Sequence, residues 1–355
     1  MLFSFSVAPS AGYTSYYDNV GDMYNQGVEV ELNYNIFKSK NFSWDIFANA
    51  TTLKNKITYL DPLKKTTHFY DLDLNKYWGY SSGNMVVAEG STLYSWYMPA
   101  YAGVNAETGE AQWYYNKAVY EQDENGKDVY YKPWDYSGNY VEDWDNNKFA
   151  VDENGNKILS NSSDGSKFQT GATVEKTTKY ADATYYVANK TSIPDVYGGF
   201  GTSLQAYGVD FSVNFSYQLG GWGYDGTYAQ FMTPPYASNA GYNFHVDALN
   251  AWTKSAPSTT IPRWQFGDNN SGSTSTRFMT KASYLNIENI ALGYTFPARW
   301  TRKALINSLR LYVAADNLWY WSCRQGFDPR QSYSGSNATN YSPMRSVSGG
   351  VTLKF

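Results

Sequence analysis

Val209-Asp210-Phe211-Ser212-Val213-Asn214-Phe215-Ser216-Tyr217-Gln218-Leu219 alternates apolar and polar side chains throughout. Successive side chains of an extended strand point to opposite faces, so this run carries one wholly apolar and one wholly polar face. Its length is as informative as its period. Strands of soluble domains peak near about 5–6 residues, whereas a tilted strand needs about 9–11 to cross a bilayer.

The pattern recurs along the chain. Val28, Val30, Leu32, Tyr34 and Ile36 alternate with Glu29, Glu31, Asn33 and Asn35. Phe42, Trp44, Ile46, Ala48 and Ala50 alternate with Ser43, Asp45, Asn49 and Thr51, and Phe47 is the exception. Leu309, Leu311, Val313 and Ala315 form another run, and Val347, Gly349, Val351, Leu353 and Phe355 close the sequence. Between Ser283 and Phe296 the apolar phase slips, from Leu285 and Ile287 to Ile290, Leu292, Tyr294 and Phe296. One extra residue near Glu288 accounts for such a slip as a β-bulge.

Connection lengths alternate with the strands. Lys38–Asn41 and Tyr207-Gly208 are tight turns, and Pro297–Asn307 is a modest one. The other connections are far longer, roughly Thr58–Asp195, Gly220–Ala282 and Tyr320–Arg345. Short turns on one side and long loops on the other are the sidedness of outer-membrane barrels. The expectation is an all-β, antiparallel transmembrane barrel wall, with seven clear strands and roughly 8–10 in all.

Composition bounds the rest. Twenty-eight basic against 32 acidic residues give −4, which argues against a nucleic-acid partner. Twelve Trp, 35 Tyr and 18 Phe suit surfaces with one wet and one apolar side. The negative mean hydropathy does not oppose a membrane reading, because a barrel strand shows lipid only every second residue. No apolar run is long enough for a transmembrane helix. The single Cys323 permits no internal disulfide and reads as a buried or unimportant thiol. Met1-Leu2-Phe3-Ser4-Phe5-Ser6-Val7 lacks the basic start of a secretory signal and reads as a strand in progress, hence a truncated chain.

No motif supports catalysis, a cofactor or a metal. Gly221-Trp222-Gly223-Tyr224-Asp225-Gly226 matches a dinucleotide fingerprint by letter, but Tyr228–Pro235 offers aromatics and a Pro-Pro pair in place of the required helix, so the match reads as a flexible loop start. Asp71 and Asp73 are a carboxylate pair of the kind any Asp-rich loop yields by chance, and His68 and His245 lack partners at metal spacing. Asp123-Glu124-Asn125-Gly126-Lys127 and Asp152-Glu153-Asn154-Gly155-Asn156 read as hairpin turns, since neither has the terminal Glu of a calcium loop. Tyr94, Trp96, Tyr97, Tyr101 and Trp113 offer stacking faces to a sugar or peptide, or else pack loops together.

Gly21–Val30, Trp44–Asn55, Ala102–Glu110, Ile193–Phe200, Ala251-Trp252-Thr253, Ile261-Pro262-Arg263 and Ser283–Pro297 resemble segments of the SusC and RagA-like TonB-dependent transporters of the Bacteroidetes. Asp316-Asn317-Leu318, Gly326-Phe327-Asp328-Pro329 and Ser342–Phe355 complete the series, in order and over nearly the whole chain. The resemblance implies the C-terminal portion, residues 1–355, of a plugged barrel of about 22 strands. It implies energy-coupled import of oligosaccharides or peptides across the outer membrane of a Gram-negative cell. A SusD-like surface lipoprotein and the TonB complex would be its partners, with plug, TonB box and signal peptide absent from this chain. Phe355 would be the terminal aromatic read by the barrel-assembly machinery. The alternatives are a complete small barrel acting as pore or adhesin, and a secreted carbohydrate-binding β-sandwich.

Overall fold

The computed structural model describes residues 2–6, 10, 12, 14–133, 140–142, 148–239, 241–258, 260–337 and 341–355. Seven long strands form one sheet: β1 Glu29–Lys38, β2 Phe42–Thr52, β3 Val196–Ala206, β4 Val209–Leu219, β5 Tyr284–Thr295, β6 Ser308–Ser322 and β7 Ser346–Lys354. Each pairs antiparallel with its neighbours in sequence, a simple meander from β1 to β7. The strands are 9–15 residues long, enough to cross a bilayer when tilted.

Register turns seven separate alternations into two continuous faces. One row reads Phe37, Trp44, Leu204, Phe211, Leu292, Val313 and Gly349 across the sheet. The adjacent row reads Asn35, Asp45, Ser203, Ser212, Ala291, Ala314 and Ser348. Paired residues share a face, so the first row is apolar and the second is small or polar. The apolar face is uncovered: Val30 is 59% exposed, Leu292 54%, Val313 56% and Val347 67%. A β-sandwich would bury that face against a second sheet, which removes the sandwich alternative.

The expected bulge is present. Asn214 pairs with Asn289 and Phe215 with Ile287, leaving Glu288 as the extra residue against β4. Against β6 the surplus lies on the other strand, at Asn317-Leu318, where Asn317 adopts φ +49°. The phase after the bulge places Trp319 and Trp321 opposite Ile287 and Leu285, on the apolar face. Phe47, the exception in its run, sits on the polar face opposite Gly201. A Cβ at Gly201 would lie 2.6 Å from the Phe47 ring and 2.5 Å from the Val213 carbonyl oxygen. Gly201→Ala is therefore expected to destabilise the wall by about 1–3 kcal/mol through overpacking, measured as a lower urea midpoint of the folded protein.

The tight turns follow their sequences. Tyr207 and Gly208 have φ +50° and +96°, the two left-handed residues of a hairpin turn that follows strand twist. Ser39 N–H donates to the Phe42 carbonyl at 2.7 Å to close the first turn. The third holds a short helix, Ala298–Thr301. Register places all three at the same edge of the sheet.

The chain divides into two compact units. The first, Met1–Met98, Tyr186–Leu249 and Gln265–Phe355, contains the wall. What read as long loops there is largely folded. A five-stranded sheet orders Tyr185–Thr191, Ser95–Pro99, Met85–Ala88, Lys76–Ser82 and Thr67–Tyr70 over a core of Phe69, Val86, Ala88 and Val187. Leu2–Ser6 pairs with Ser15–Asn19, so the opening segment is a strand as expected; Met1 and Val7 lie outside the described residues. The second unit is Pro99–Tyr185 and Asn250–Trp264. Its strands Ala111–Tyr120 and Gln169–Thr177 pair antiparallel, and Tyr131, Phe149 and Phe168 form its small core.

Candidate functional site

Two features of the first unit carry the chemistry: the polar face of the wall, and a cavity where that wall meets a long connection. On the polar face, carboxylates are bridged across strands. Asn35 Nδ2 donates to Asp45 Oδ1 at 2.6 Å and Ser43 Oγ to Asp45 Oδ2 at 3.0 Å. Asn289 Nδ2 and Ser346 Oγ satisfy Asp316 in the same way, at 2.7 and 3.0 Å. Nearer the short turns, Arg310 Nε donates to Asp210 Oδ1 at 3.0 Å, and Nη2 binds Oδ2. This pair reaches across β5 over Gly293, where a Cβ would lie 2.5 Å from both partners. The apolar face keeps its few polar atoms satisfied internally, as hydrocarbon requires: Trp44 Nε1 donates to Thr202 Oγ1, which donates to the Asp45 carbonyl, each at 2.9 Å.

The cavity, about 430 Å³, lies at the long-loop ends of β3, β4 and β5. Tyr197, Gln218 and Tyr284 line it from the wall, and Phe327, Arg330 and Tyr333 from the connection after β6. Beside it Asp328, fully buried, caps the turn Pro329–Gln331 and holds Arg330 by two bonds, 2.9 and 2.7 Å. The guanidinium lies over the Tyr320 ring at 4.8 Å. Burial works against the Asp328 carboxylate, but the hydrogen bonds from Arg330 outweigh it and hold the carboxyl below its usual range. Ser192 Oγ is buried at the lining without a hydrogen-bond partner. The site thus offers aromatic faces, an amide and a hydroxyl beside the Asp328–Arg330 pair, a lining suited to binding.

The aromatic candidates separate. Trp96 and Trp113 are 1% exposed and have no free face for a ligand. Trp96 Nε1 donates to the Trp222 carbonyl at 3.1 Å, and the Trp113 ring meets Tyr180 edge-on at 5.2 Å; both pack loops. Tyr94, Tyr97 and Tyr101 are half-buried. Tyr94 meets Tyr333, a residue of the cavity lining, edge-on at 5.5 Å. Tyr97 packs on Phe69 at 4.9 Å, and Tyr101 belongs to the second unit.

Other expectations resolve locally. Gly221–Gly226 is not a flexible loop start: Trp222–Asp225 is a strand and Gly226–Phe231 a short helix capped by Asp225. That strand lies between Met279–Lys281 and Ser336–Asn337, and an acidic cap would repel a phosphate. Cys323 is exposed, not buried. Asp71 does not pair with Asp73; it accepts from the backbone N–H groups of Asp73 and Asn75, each at 2.9 Å. Asp123 and Asp152 accept in the same way from their own turns, so both segments are hairpins. His245 lies 3.4 Å from Asp247 and edge-on to Tyr228. Burial, then Asp247, pushes the Tyr228 hydroxyl up to about 12. Among the described residues no three His, Cys, Asp or Glu converge as metal ligands. The Asp210–Arg310 and Asp328–Arg330 pairs were not singled out from sequence; the one available signal was Gly326–Pro329, whose aspartate precedes an arginine by two residues.

Together these features define an all-β, antiparallel wall of the membrane-spanning barrel type. Over 370 residues the chain is 23% identical to the TonB-dependent receptor P3 of Formosa agariphila, covering 100% of this chain and 31% of that protein. It is 24% identical to the TonB-dependent receptor SusC of Bacteroides thetaiotaomicron over 95% of this chain and 27% of SusC. A solved RagAB peptide transporter superposes over the whole chain and 32% of its own, with TM-score 0.65 and 22% identity. No protein-family profile matches. The chain spans about a third of the length of the curated relatives it matches. Along its length the chain is similar to TonB-dependent receptors, SusC among them, and its fold is that of the RagAB transporter's matching third.

Proposed function

We propose that this chain is the C-terminal portion of the barrel of an energy-coupled importer in a Gram-negative outer membrane. Its apolar face meets lipid and its polar face lines the lumen. The cargo is an oligosaccharide or a peptide, received with a SusD-like surface lipoprotein and moved by coupling to the TonB complex. The chain is a conduit, not an enzyme. The observation that carries the reading is the meander of seven long strands whose apolar residues register into one exposed face. Tyr94, Tyr97 and Tyr101 remain the loop aromatics nearest to a ligand role, and Phe355, which follows β7 at the short-turn edge, is the signal for barrel assembly.

The test is uptake by cells carrying an in-frame deletion of the full-length gene. Fluorescent oligosaccharide and oligopeptide pools are offered with and without a protonophore. Loss of one pool's uptake in the deletion strain, matched by its loss under the protonophore, is expected. Uptake that depends on the gene but persists without the proton-motive force would make the protein a passive pore.

A further inference from the structure

The short-turn edge of the wall has a charge distribution that import does not require. A row close to the turns is Lys38, Ser43, Gln205, Asp210, Gly293, Tyr312 and Gly350. From that row outward the basic side chains are Lys38, Lys40, Arg299, Arg302, Lys303 and Lys354, besides Arg310. The one carboxylate side chain there, Asp210, is bound to Arg310. This edge is therefore strongly basic although the chain as a whole carries −4.

Arg299, Arg302 and Lys303 are exposed on the third turn, and among the described residues none has a carboxylate within ion-pair distance. They alternate with exposed apolar groups. Trp300 is 55% and Leu305 85% exposed, and Tyr207, on the neighbouring turn, is 78%. The apolar series is continuous with the lipid-facing side: Tyr294, in a row with Val209 and Leu311, packs on Phe296, which packs on Trp300. Arg299 lies over the Trp300 ring at 5.8 Å, and aromatic residues flanked by cations without carboxylate partners, at the end of an apolar band, are what a headgroup layer selects.

We infer that this edge binds the phosphodiester groups of anionic glycerophospholipids in the adjacent leaflet, with Arg299, Arg302 and Lys303 as its principal cations. The inference rests on the barrel reading, because a bilayer covering the apolar face necessarily puts headgroups at this edge. Trp300 and Leu305 enter the acyl boundary while the cations hold phosphate. The edge thereby fixes the depth of the wall in the membrane.

The experiment uses the full-length protein in nanodiscs of phosphatidylcholine with a minor fraction of phosphatidylglycerol, and counts retained lipids by native mass spectrometry. The variant Arg299→Gln/Arg302→Gln/Lys303→Gln is compared with a charge-matched control, Lys127→Gln/Lys132→Gln/Lys179→Gln, in the second unit. Wild type and control are expected to prefer phosphatidylglycerol. Each neutralised edge cation should weaken the preference about fivefold at low salt, and added salt should weaken it in the wild type. Arg299→Lys/Arg302→Lys should keep it. Equal preference in wild type and triple variant, equal loss in the control, or no preference at all would each overturn the inference. Failure of the wild type to enter the bilayer is a different result, which overturns the barrel reading beneath it.

Discussion

Arg330→Met is expected to loosen the connection after β6 by about 3–5 kcal/mol, the cost of leaving a buried carboxylate without its partner. Asp328 is fully buried, and Arg330 supplies both of its side-chain ion-pair bonds. The double variant Asp328→Asn/Arg330→Met should recover much of the loss, since the charge that needed a partner is gone. Hydrogen exchange over residues 323–335 reads the effect directly. The pH dependence has a defined sign. The folded Asp328 carboxyl titrates below its ordinary value of 3.8. Its contribution is therefore complete above that value and is lost as pH falls through the lower, folded value. Arg330→Met removes the guanidinium's bonds and charge that oppose burial, so Asp328 should take up its proton at a higher pH than in the wild type.

Val213→Arg is expected to impair assembly by about 2–4 kcal/mol, the cost of a cation near the bilayer midplane on a lipid-facing strand. Val213 lies in mid-strand, in a row with Ile46, Thr202, Ile290, Ala315 and Val347 on the apolar face. Ser212→Arg, one residue earlier, points to the polar face beside Ser203 and Ala291 and should be tolerated. The comparison is made on the fraction of protein running as a compact, heat-sensitive species in unboiled gels. Equal damage at both positions would mean that the faces do not differ in environment.

The wall was legible because its signal is repeated and local. Val209–Leu219 states its two faces residue by residue, and the phase slip at Glu288 foretold where the register steps. Phe47 stood out as an exception, and its partner Gly201 became visible only with the register. Other features depend on residues far apart in sequence. Nothing in the order of residues says that Arg310 reaches Asp210 across the notch of Gly293. The long connections read as loops because their strands, such as Thr67–Tyr70 and Met85–Ala88, are too short to establish a period. Trp96 and Trp113 illustrate the limit for ligand sites. An aromatic residue looks the same in sequence whether its face is free or, as here, covered by a neighbouring loop.

The most direct test of the central claim, a membrane wall with lipid on one face and a lumen on the other, is a cysteine scan of residues 209–219. Cys323, exposed in this structure, is first replaced by serine in the full-length protein. Single cysteines are then introduced one at a time, carrying a fluorophore whose quenching by brominated acyl chains reports contact with lipid. Quenching should alternate with period two, strong at 211, 213, 215 and 217 and weak at 210, 212, 214 and 216. A flat profile, or one with the phase reversed, would contradict the account.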